Sequence, residues 1–406
     1  MPLEPDSAVV VVGAGLAGLR AAENLRADGH RGPLTVVGAE THPPYDRPPL
    51  SKQFLAGTWG LDRVVLRDGP KLEALGADLR LGRRVVSLDV EGRSIALEDG
   101  DRIRFEGLVL ATGSHPRTLA GTEGVAGVHV LRTLDDCLAL AHDIEETQRR
   151  LVVIGAGFIG AEVAATCRGR GLNVTVIEAL PVPLEQVLGE QMGEACAALH
   201  RAHGVELLTG TSVAGVRADA QGAVAGVELA DGTVVPADVV LVGIGVTPTT
   251  GWIEGSGLEL QDGVVADATL HAAEGVVVAG DLARWFDEDL GVHRRVEHWE
   301  NAADQGMHAA RSLLRGRRSA EAYRPVPYFW SDQYDLKIQM LGSPSPDDEL
   351  SVVDGTVADG RFVALYGRGN RLAGALGFGR PRQLMAFRAL LERHASFDEA
   401  RSLLSG

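Results

Sequence analysis

Three glycines near the start of the chain have the spacing of a phosphate-binding turn. Residues 9–18 read V-V-V-V-G-A-G-L-A-G, so a β-branched run ends in Gly13, Gly15 and Gly18. In such a turn the first glycine permits a tight bend, the second lets the backbone approach a pyrophosphate, and the third lets helix and strand pack closely. The free amides at the helix N-terminus then face the phosphates. Glu40, 22 residues past Gly18, is placed to hold an adenosine ribose.

The same pattern returns 142 residues later. Residues 151–160 read L-V-V-I-G-A-G-F-I-G, and Gly155, Gly157 and Gly160 repeat the three glycines. Glu178 ends the next strand, 18 residues past Gly160. Two complete fingerprints predict two bound dinucleotides rather than ordinary strand–helix–strand units. We therefore expect one site for a bound flavin and one for the nicotinamide that reduces it.

These turns need a strand before them and a helix after them, and the sequence supplies both. The strand expected at 276–279 ends in Gly280-Asp281, and an aspartate at the carboxyl end of such a strand points into the ligand crevice. The strand that begins at Leu108 ends in the small residues 111–113, which allow the backbone to approach a ligand. Further helices are expected at 190–203, 300–314 and 382–393.

Prolines stiffen the loop after Glu40, which reads T-H-P-P-Y-D-R-P-P-L-S-K over residues 41–52. The loop presents Arg47 and Lys52, either as part of a flavin cradle or as ordinary solvated charges. A helix could begin behind the prolines, over residues 50–55.

The composition argues against several classes of function. A net charge of −16 disfavours general nucleic-acid binding, which needs a basic face. Cys137, Cys167 and Cys196 are widely spaced and form no C-x-x-C, which argues against a zinc or iron–sulfur cluster and fits a reducing cytoplasm. The acidic, proline-broken N-terminus does not resemble a signal peptide, and no apolar run approaches the ~18 residues that span a bilayer. We expect a soluble, cytoplasmic protein of two or three domains.

Together these pieces resemble the FAD-dependent, NADH-using ferredoxin reductases that serve bacterial Rieske dioxygenases and haem-thiolate monooxygenases. The resemblance extends over essentially all 406 residues. It rests on both fingerprints and on the motifs R-P-P-L-S-K (47–52), A-T-G (111–113), G-D (280–281), E-H-W (297–299) and F-W-S-D-Q (329–333). It implies the glutathione-reductase fold, an α/β architecture with two Rossmann-like nucleotide-binding domains and a small α+β C-terminal domain. The expected boundaries are 1–115 and 247–320 for the FAD domain, 116–246 for the NAD domain and 321–406 for the C-terminal domain.

The resemblance also assigns cofactor-binding residues to matching positions. Those expected around the flavin are Gly13, Ala14, Gly15, Leu16, Ala17, Gly18, Glu40, Arg47, Lys52, Val85, Ala111, Thr112, Gly113, Arg132, Gly280, Asp281 and Trp299. Those expected around the nicotinamide dinucleotide are Gly155, Gly157, Phe158, Ile159, Gly160, Glu162, Glu178, Gly243 and Gly245. One departure is Ala39, where members of the family often carry an acid beside the ribose acid.

Lys52 and Glu162 are the expected catalytic residues. NADH delivers two electrons as hydride while an iron–sulfur partner accepts one at a time, so a flavin is needed as converter. Glu162 lies two residues beyond Gly160, where a carboxylate can face the nicotinamide, and the resemblance implies that it pairs with Lys52 near flavin N5. The alternative is an acid that the helix dipole favours in a first turn.

A [2Fe-2S] ferredoxin is the expected partner. In an acidic chain the cluster of Arg311, Arg315, Arg317 and Arg318 could attract an acidic ferredoxin, because salt screens the more distant negative charges. The alternative is a solvated helix end, where the dipole favours arginine.

Two other functions stay open at this point. A disulfide or peroxide reductase on the same fold needs a cysteine beside the flavin, and the proline-rich loop has none. A redox-sensing protein would bind FAD and NADH yet reduce no carrier quickly.

Overall fold

The computed structural model describes residues 2–145 and 149–404, which form two compact units. Unit 1 contains the described residues up to Asp46, Leu61–His115 and Thr247–Pro325. Unit 2 contains Arg47–Gly60, the described part of Pro116–Val246 and the described residues from Val326 onward. The first fingerprint lies in unit 1 and the second in unit 2. Among the described helices, none is both long and apolar enough to cross a bilayer.

Unit 1 is built on a six-stranded sheet of five parallel strands and one antiparallel edge strand. In sheet order the strands are His271–Ala273, Val276–Val278, Gly107–Leu110, Val9–Val12, Leu34–Val37 and Asp78–Arg80. The four valines of the fingerprint strand are at most 2% exposed, as a central strand covered on both faces requires. Helices Leu16–Ala27 and Trp299–Arg315 cross closely, since a Cβ on Gly306 would lie 2.3 Å from the Ala17 carbonyl oxygen.

Smaller elements complete unit 1. One antiparallel sheet contains Val85–Asp89, Ser94–Leu97 and Arg102–Arg104. A mixed sheet contains Val264–Ala266, which pairs in parallel with Ala283–Asp287, and Val292–Arg294, which pairs antiparallel with the same strand. Short helical segments lie at Leu61–Arg63, Gly69–Glu73, Gly251–Ile253 and Gly280–Leu282. The core is one apolar cluster in which Trp285 is fully buried.

Unit 2 contains a second parallel sheet, of five strands. In sheet order these are Glu206–Leu208, Asn173–Ile177, Arg150–Ile154, Val239–Val242 and Val128–His129. A three-stranded antiparallel sheet lies at Val213–Ala218, Val224–Leu229 and Val234–Pro236. The helices of this part are Pro48–Ser51 (a 3₁₀ turn), Leu134–Asp143, Phe158–Gly169, Glu185–Leu188 and Glu190–Ala202. Short strands at Ser114–Pro116 and Val246–Pro248 lie where the chain passes from one unit to the other.

The C-terminal part of unit 2 is a five-stranded antiparallel sheet with helices. In sheet order its strands are Tyr328–Gln333, Leu336–Gly342, Arg371–Phe378, Arg361–Arg368 and Glu349–Thr356, and its helices are Pro381–Met385, Arg388–Glu392 and Phe397–Ser402. Both faces of this sheet are buried. Phe362 and Tyr366 pack with Leu188 and Met192 on one face, and alternate residues such as Val363 pack with the C-terminal helices on the other.

The strand expected at 276–279 lies at Val276–Val278, and the strand expected to begin at Leu108 lies at Gly107–Leu110. The single helix expected at 382–393 is wrong: two helices lie there, separated around Phe387, which is fully buried against the sheet. No α-helix begins at residue 50; the two prolines instead start the 3₁₀ turn Pro48–Ser51. The strand Tyr328–Gln333 was not predicted. The domain boundaries remain a prediction, and the structure groups residues 47–60 with unit 2.

Candidate active site

The predicted flavin-binding segments of unit 1 meet at one edge of its large sheet. Each follows the carboxyl end of one of four adjacent parallel strands, at Gly13, Glu40, Ala111 and Gly280. Ligands of open parallel sheets bind at this edge. The structure therefore brings together the first fingerprint, the ribose acid, the 111–113 turn and the 280–281 turn.

The three glycines of the first fingerprint have different surroundings. A Cβ on Gly13 would lie 2.1 Å from the carbonyl oxygen of Ala111, and a Cβ on Gly18 would lie 1.8 Å from that of Gly13. A Cβ on Gly15 would meet nothing within 4 Å, and its φ of −80° suits any residue. Packing thus explains the first and third glycines, while the second faces free space in front of the helix Leu16–Ala27. This is the space that a pyrophosphate needs, so these residues fit a dinucleotide.

Side chains at the same edge of unit 1 are fixed by hydrogen bonds. Tyr45 donates its hydroxyl to the Glu40 carboxylate. Ser114 Oγ donates to Asp281 Oδ2 at 2.8 Å, and the Gly280 amide donates to Gln305 Oε1 at 2.9 Å.

Three more residues that are expected to contact the flavin lie in unit 1. Trp299 Nε1 donates to Asp46 Oδ1 at 2.5 Å. Thr112 Oγ1 donates to the Thr249 carbonyl oxygen at 3.1 Å, which fixes the 111–113 turn. Val85 begins a strand and is 8% exposed.

The second fingerprint repeats the arrangement in unit 2. A Cβ on Gly155 would lie 2.4 Å from the Gly243 carbonyl oxygen, and a Cβ on Gly160 would lie 2.1 Å from that of Gly155. A Cβ on Gly157 would again meet nothing within 4 Å. Two apolar side chains next to these glycines in the sequence are exposed: Ile159, beside Gly160 (45%), and Ile244, beside Gly243 (37%). The residues present fit a second dinucleotide.

Glu178 directly follows the strand Asn173–Ile177 and is hydrogen-bonded to the second fingerprint. Its Oε2 accepts from the Ala156 amide at 2.7 Å, and its Oε1 accepts from the Leu180 amide at 2.9 Å. Each carboxylate oxygen keeps a lone pair, so the group can still accept from a ribose hydroxyl. The structure thus holds the predicted ribose acid against the glycine turn.

The predicted catalytic residues form a buried ion pair in unit 2. Lys52 Nζ lies 2.6 Å from Glu162 Oε2, and the two side chains are 8% and 3% exposed. Ser51 Oγ donates to the same Oε2 at 2.5 Å, and Lys52 also donates to the Pro48 carbonyl oxygen at 3.1 Å. The loop is fixed to the helix Phe158–Gly169 by Thr166 Oγ1, which donates to the Ser51 carbonyl oxygen at 2.8 Å. The pair exists, whereas its role toward a cofactor stays a prediction.

Two other predicted cations share a backbone contact in unit 2. Arg47 Nη1 donates to the carbonyl oxygen of Arg132 at 2.5 Å. The amide of Arg132 donates in turn to Asp136 Oδ2 at 3.0 Å, beside the N-terminus of helix Leu134–Asp143. Their role as flavin contacts stays a prediction.

The cysteines lie in the interior. Cys137, Cys167 and Cys196 are at most 1% exposed and unpaired. Burial raises the pKa of each thiol to about 12, so the reactive thiolate is absent at neutral pH.

The basic cluster at the end of helix Trp299–Arg315 is exposed and largely paired. Arg311 lies 3.3 Å from Asp28, Arg315 lies 2.6 Å from Glu321, and Arg317 lies 2.6 Å from Asp267. These pairs lower the positive charge that the sequence indicates.

Two residues that touch Glu162 escaped the sequence analysis. Ser51 and Ser331 both donate to its carboxylate, from positions 111 and 169 residues away. Both lie inside the motifs that carry the resemblance, which is a signal that they matter. No spacing in the sequence, however, indicates that they meet Glu162.

Comparison with known proteins identifies the family of this chain. Residues 7–306 match the family described as pyridine nucleotide-disulphide oxidoreductase, and residues 328–403 match the reductase C-terminal family. The ferredoxin–NAD(+) reductase component of the anthranilate 1,2-dioxygenase system of Burkholderia cepacia is 39% identical over 392 residues, covering 96% of this chain and 95% of that protein. Rhodocoxin reductase of Rhodococcus erythropolis is 37% identical, with coverage of 94% and 89%.

A solved structure shows the same fold. The crystal structure of the covalent putidaredoxin reductase–putidaredoxin complex has a TM-score of 0.91 and 32% identity, and the match covers 96% of this chain and 93% of that chain. The protein is thus an oxidoreductase that binds FAD and uses NADH. The extent of these matches shows that the chain belongs to the ferredoxin reductases of the pyridine nucleotide-disulphide oxidoreductase family.

Proposed function

We propose that this protein passes electrons from NADH through FAD to a [2Fe-2S] ferredoxin that serves a cytochrome-type monooxygenase or a Rieske dioxygenase. The observation that carries the proposal is the pair of fingerprints, each with free space at its second glycine, in a chain whose relatives are named ferredoxin reductases. FAD supplies the conversion of a two-electron donor into a source of single electrons.

The residues at the sheet edge of unit 1 hold the FAD in this proposal. The helix that begins at Leu16 offers its free amides to the diphosphate, and Gly15 lets the diphosphate approach them. Glu40 accepts from the adenosine ribose. Asp281, oriented by the Ser114 hydroxyl, accepts from the ribityl chain.

Glu178 selects NADH in the second site. Its carboxylate is held by two amides, so a 2′-phosphate on a ribose bound by Glu178 would meet a fixed negative charge. The next residues, Ala179 and Leu180, supply no cation to offset that repulsion.

Lys52 and Glu162 are the proposed catalytic residues. A buried carboxylate beside the second fingerprint can orient the nicotinamide, and the Lys52 ammonium, 2.6 Å away, supplies the opposite charge that a buried carboxylate requires. The pair lies in unit 2 with the second fingerprint, which supports a role in the NADH step.

The direct test uses the FAD-loaded protein with NADH and a panel of purified [2Fe-2S] ferredoxins. We expect NADH to bleach the flavin absorbance and the ferredoxin spectrum to change in steady-state turnover. Rapid flavin reduction without transfer to any ferredoxin, accompanied by fast reduction of peroxide or a disulfide, would contradict the proposal. The buried thiols, whose pKa is raised to about 12, make the latter chemistry hard to perform.

We place the ferredoxin contact at the basic cluster. Arg311 and Arg315 line a cavity of about 180 Å³ together with His308, Ser312 and Glu321. The Ser312 hydroxyl is buried and has no hydrogen-bond partner among the described residues. Half-exposed ion pairs contribute at most about 1 kcal/mol, so a ferredoxin carboxylate can replace Asp28 or Glu321 as the partner of either arginine.

A charge-matched pair of variants tests this contact. The double variant R311E/R315E should raise KM for ferredoxin through slower association, while ferricyanide reduction stays near wild type. The double variant R201E/R217E makes the same charge change at two exposed, ion-paired arginines of unit 2 and should leave KM nearly unchanged. Equal losses in both variants would point to net charge alone, and no loss in the first would place the contact elsewhere.

A further inference from the structure

The Glu162 carboxylate is held through both of its oxygens. Oε2 accepts from Ser51 Oγ at 2.5 Å and from Lys52 Nζ at 2.6 Å. Oε1 accepts from Ser331 Oγ at 2.7 Å. The terminal torsion of a glutamate side chain is broad, so donors on one oxygen leave the carboxylate plane poorly defined. Ser331 is the donor that fixes the second oxygen and with it the plane.

The C-terminal sheet presents Ser331 to Glu162. Along the strand Tyr328–Gln333 the residues Phe329, Ser331 and Gln333 are buried, while those between them are partly exposed. Phe329 packs edge-on against Phe158, the first residue of the helix that carries Glu162, with ring centroids 4.4 Å apart. The strand is therefore anchored where the helix begins.

Gln333 fixes the direction of the serine hydroxyl. Its Nε2 donates to Ser331 Oγ at 3.1 Å, and both residues are fully buried. A serine hydroxyl has one hydrogen and two lone pairs. Because the amide occupies a lone pair, the single hydrogen is directed to Glu162 Oε1. Gln333 thus donates to Ser331, and Ser331 donates to Glu162.

We propose that Ser331, oriented by Gln333, is a positioning residue for the NADH reaction: it sets the plane in which Glu162 meets the nicotinamide. The inference rests on the proposed function, because Glu162 must act on the nicotinamide for its plane to matter. Ser331 itself need not touch a cofactor. Through Ser331, the C-terminal sheet contributes to hydride transfer from NADH.

Five variants of the FAD-loaded protein test the proposal. Glu162→Gln removes the carboxylate that is oriented. Ser331→Ala removes the donor, Ser331→Thr keeps it, and Gln333→Met removes the group that orients it. Gln339→Met is the matched control, since Gln339 is a buried glutamine on the neighbouring strand that bonds Tyr328 instead. Stopped-flow absorbance measures the limiting rate of flavin reduction, calorimetry measures NAD⁺ affinity, and thermal unfolding checks the fold.

A positioning role predicts a split between rate and affinity. Ser331→Ala should slow the limiting rate about 10-fold or more, the effect expected for losing one hydrogen bond to a charged group. NAD⁺ affinity should change less than about 3-fold. Ser331→Thr should restore most of the rate, Gln333→Met should be intermediate, and Gln339→Met should resemble wild type.

Three results would overturn the inference, and they are distinguishable. A wild-type rate for both Ser331→Ala and Gln333→Met, while Glu162→Gln is slow, would leave the proposed function intact and remove the positioning role. A wild-type rate for Glu162→Gln as well would remove the catalytic role of Glu162 and this inference with it. A rate loss in Gln339→Met equal to that in Ser331→Ala would assign the effect to general packing of the sheet.

Discussion

Replacing Gly15 by alanine separates what the fold needs from what the flavin needs. A Cβ at this position meets nothing within 4 Å, and φ of −80° with ψ of −168° is ordinary extended backbone. The protein without FAD should therefore accept the methyl group. FAD binding should be weakened, because the methyl group would fill the space through which the diphosphate reaches the helix amides.

The magnitudes follow from this geometry. A glycine-to-alanine change at a compatible conformation stabilises a protein by about 0.4–1 kcal/mol through the unfolded chain. Gly15 is also the N-cap of its helix, where alanine is disfavoured by a similar amount, so the net change should stay within about 1 kcal/mol. Loss of one charge-assisted hydrogen bond to the diphosphate costs about 1.5–3 kcal/mol, which weakens FAD binding about 10- to 150-fold.

Two further glycines serve as controls for the same change. Gly157 has the same free space in the second fingerprint, so Gly157→Ala should weaken NAD⁺ and leave FAD affinity unchanged. Gly18→Ala places a Cβ 1.8 Å from the Gly13 carbonyl oxygen and should destabilise the protein without FAD by about 1–3 kcal/mol. The assays are fluorescence titration of the apoprotein with FAD, calorimetry with NAD⁺ and thermal unfolding. Wild-type FAD affinity in Gly15→Ala, or an unfolding loss as large as that of Gly18→Ala, would refute the reasoning.

Three more predictions concern the other site residues. Lys52→Met leaves the Glu162 carboxylate buried without its cation, which should lower the free energy of unfolding by about 3–5 kcal/mol. The variant should also reduce its flavin more slowly while FAD stays bound. An unchanged stopped-flow rate would make Lys52 purely structural. Glu178 should favour NADH over NADPH by ~10²-fold in kcat/KM, and equal values for the two would remove that role. Replacing all three cysteines by serine or alanine should leave turnover near wild type, since burial keeps the thiols protonated; loss of electron transfer in a folded triple variant would revive the disulfide-reductase alternative.

Local chemistry explains why so much of the nucleotide sites could be predicted. A β-branched run such as 9–12 has few options other than a buried strand, and three glycines at fixed spacing define the turn after it. Adjacent parallel strands then place their carboxyl ends side by side, which brings Glu40 and Gly280 to the first glycine turn. Sequence alone specified these residues because each lies within a few positions of its own strand.

The C-terminal part was less predictable because both faces of its sheet are buried. The segment 328–333 reads Y-F-W-S-D-Q, three aromatic residues followed by three polar ones, and two of the polar residues, Ser331 and Gln333, are fully buried. The sequence pattern predicts the opposite orientation, with the polar residues facing solvent. The hydrogen bond from Ser331 to Glu162, 169 residues away, and the one from Gln333 to Ser331 give these buried polar groups their partners.

The same contact explains why the second fingerprint and the C-terminal sheet form one unit. A buried carboxylate is costly unless several donors surround it, and the second fingerprint's own helix supplies none of the hydrogen bonds to Glu162 identified above. Ser51 and Lys52 come from the proline-stiffened loop, and Ser331 comes from the sheet. Leu188 and Met192, which follow the second fingerprint in the chain, share an apolar cluster with the sheet and keep the serine's strand in place. Orienting the Glu162 carboxylate thus involves its own helix, the proline-stiffened loop and the C-terminal sheet, and unit 2 contains all three.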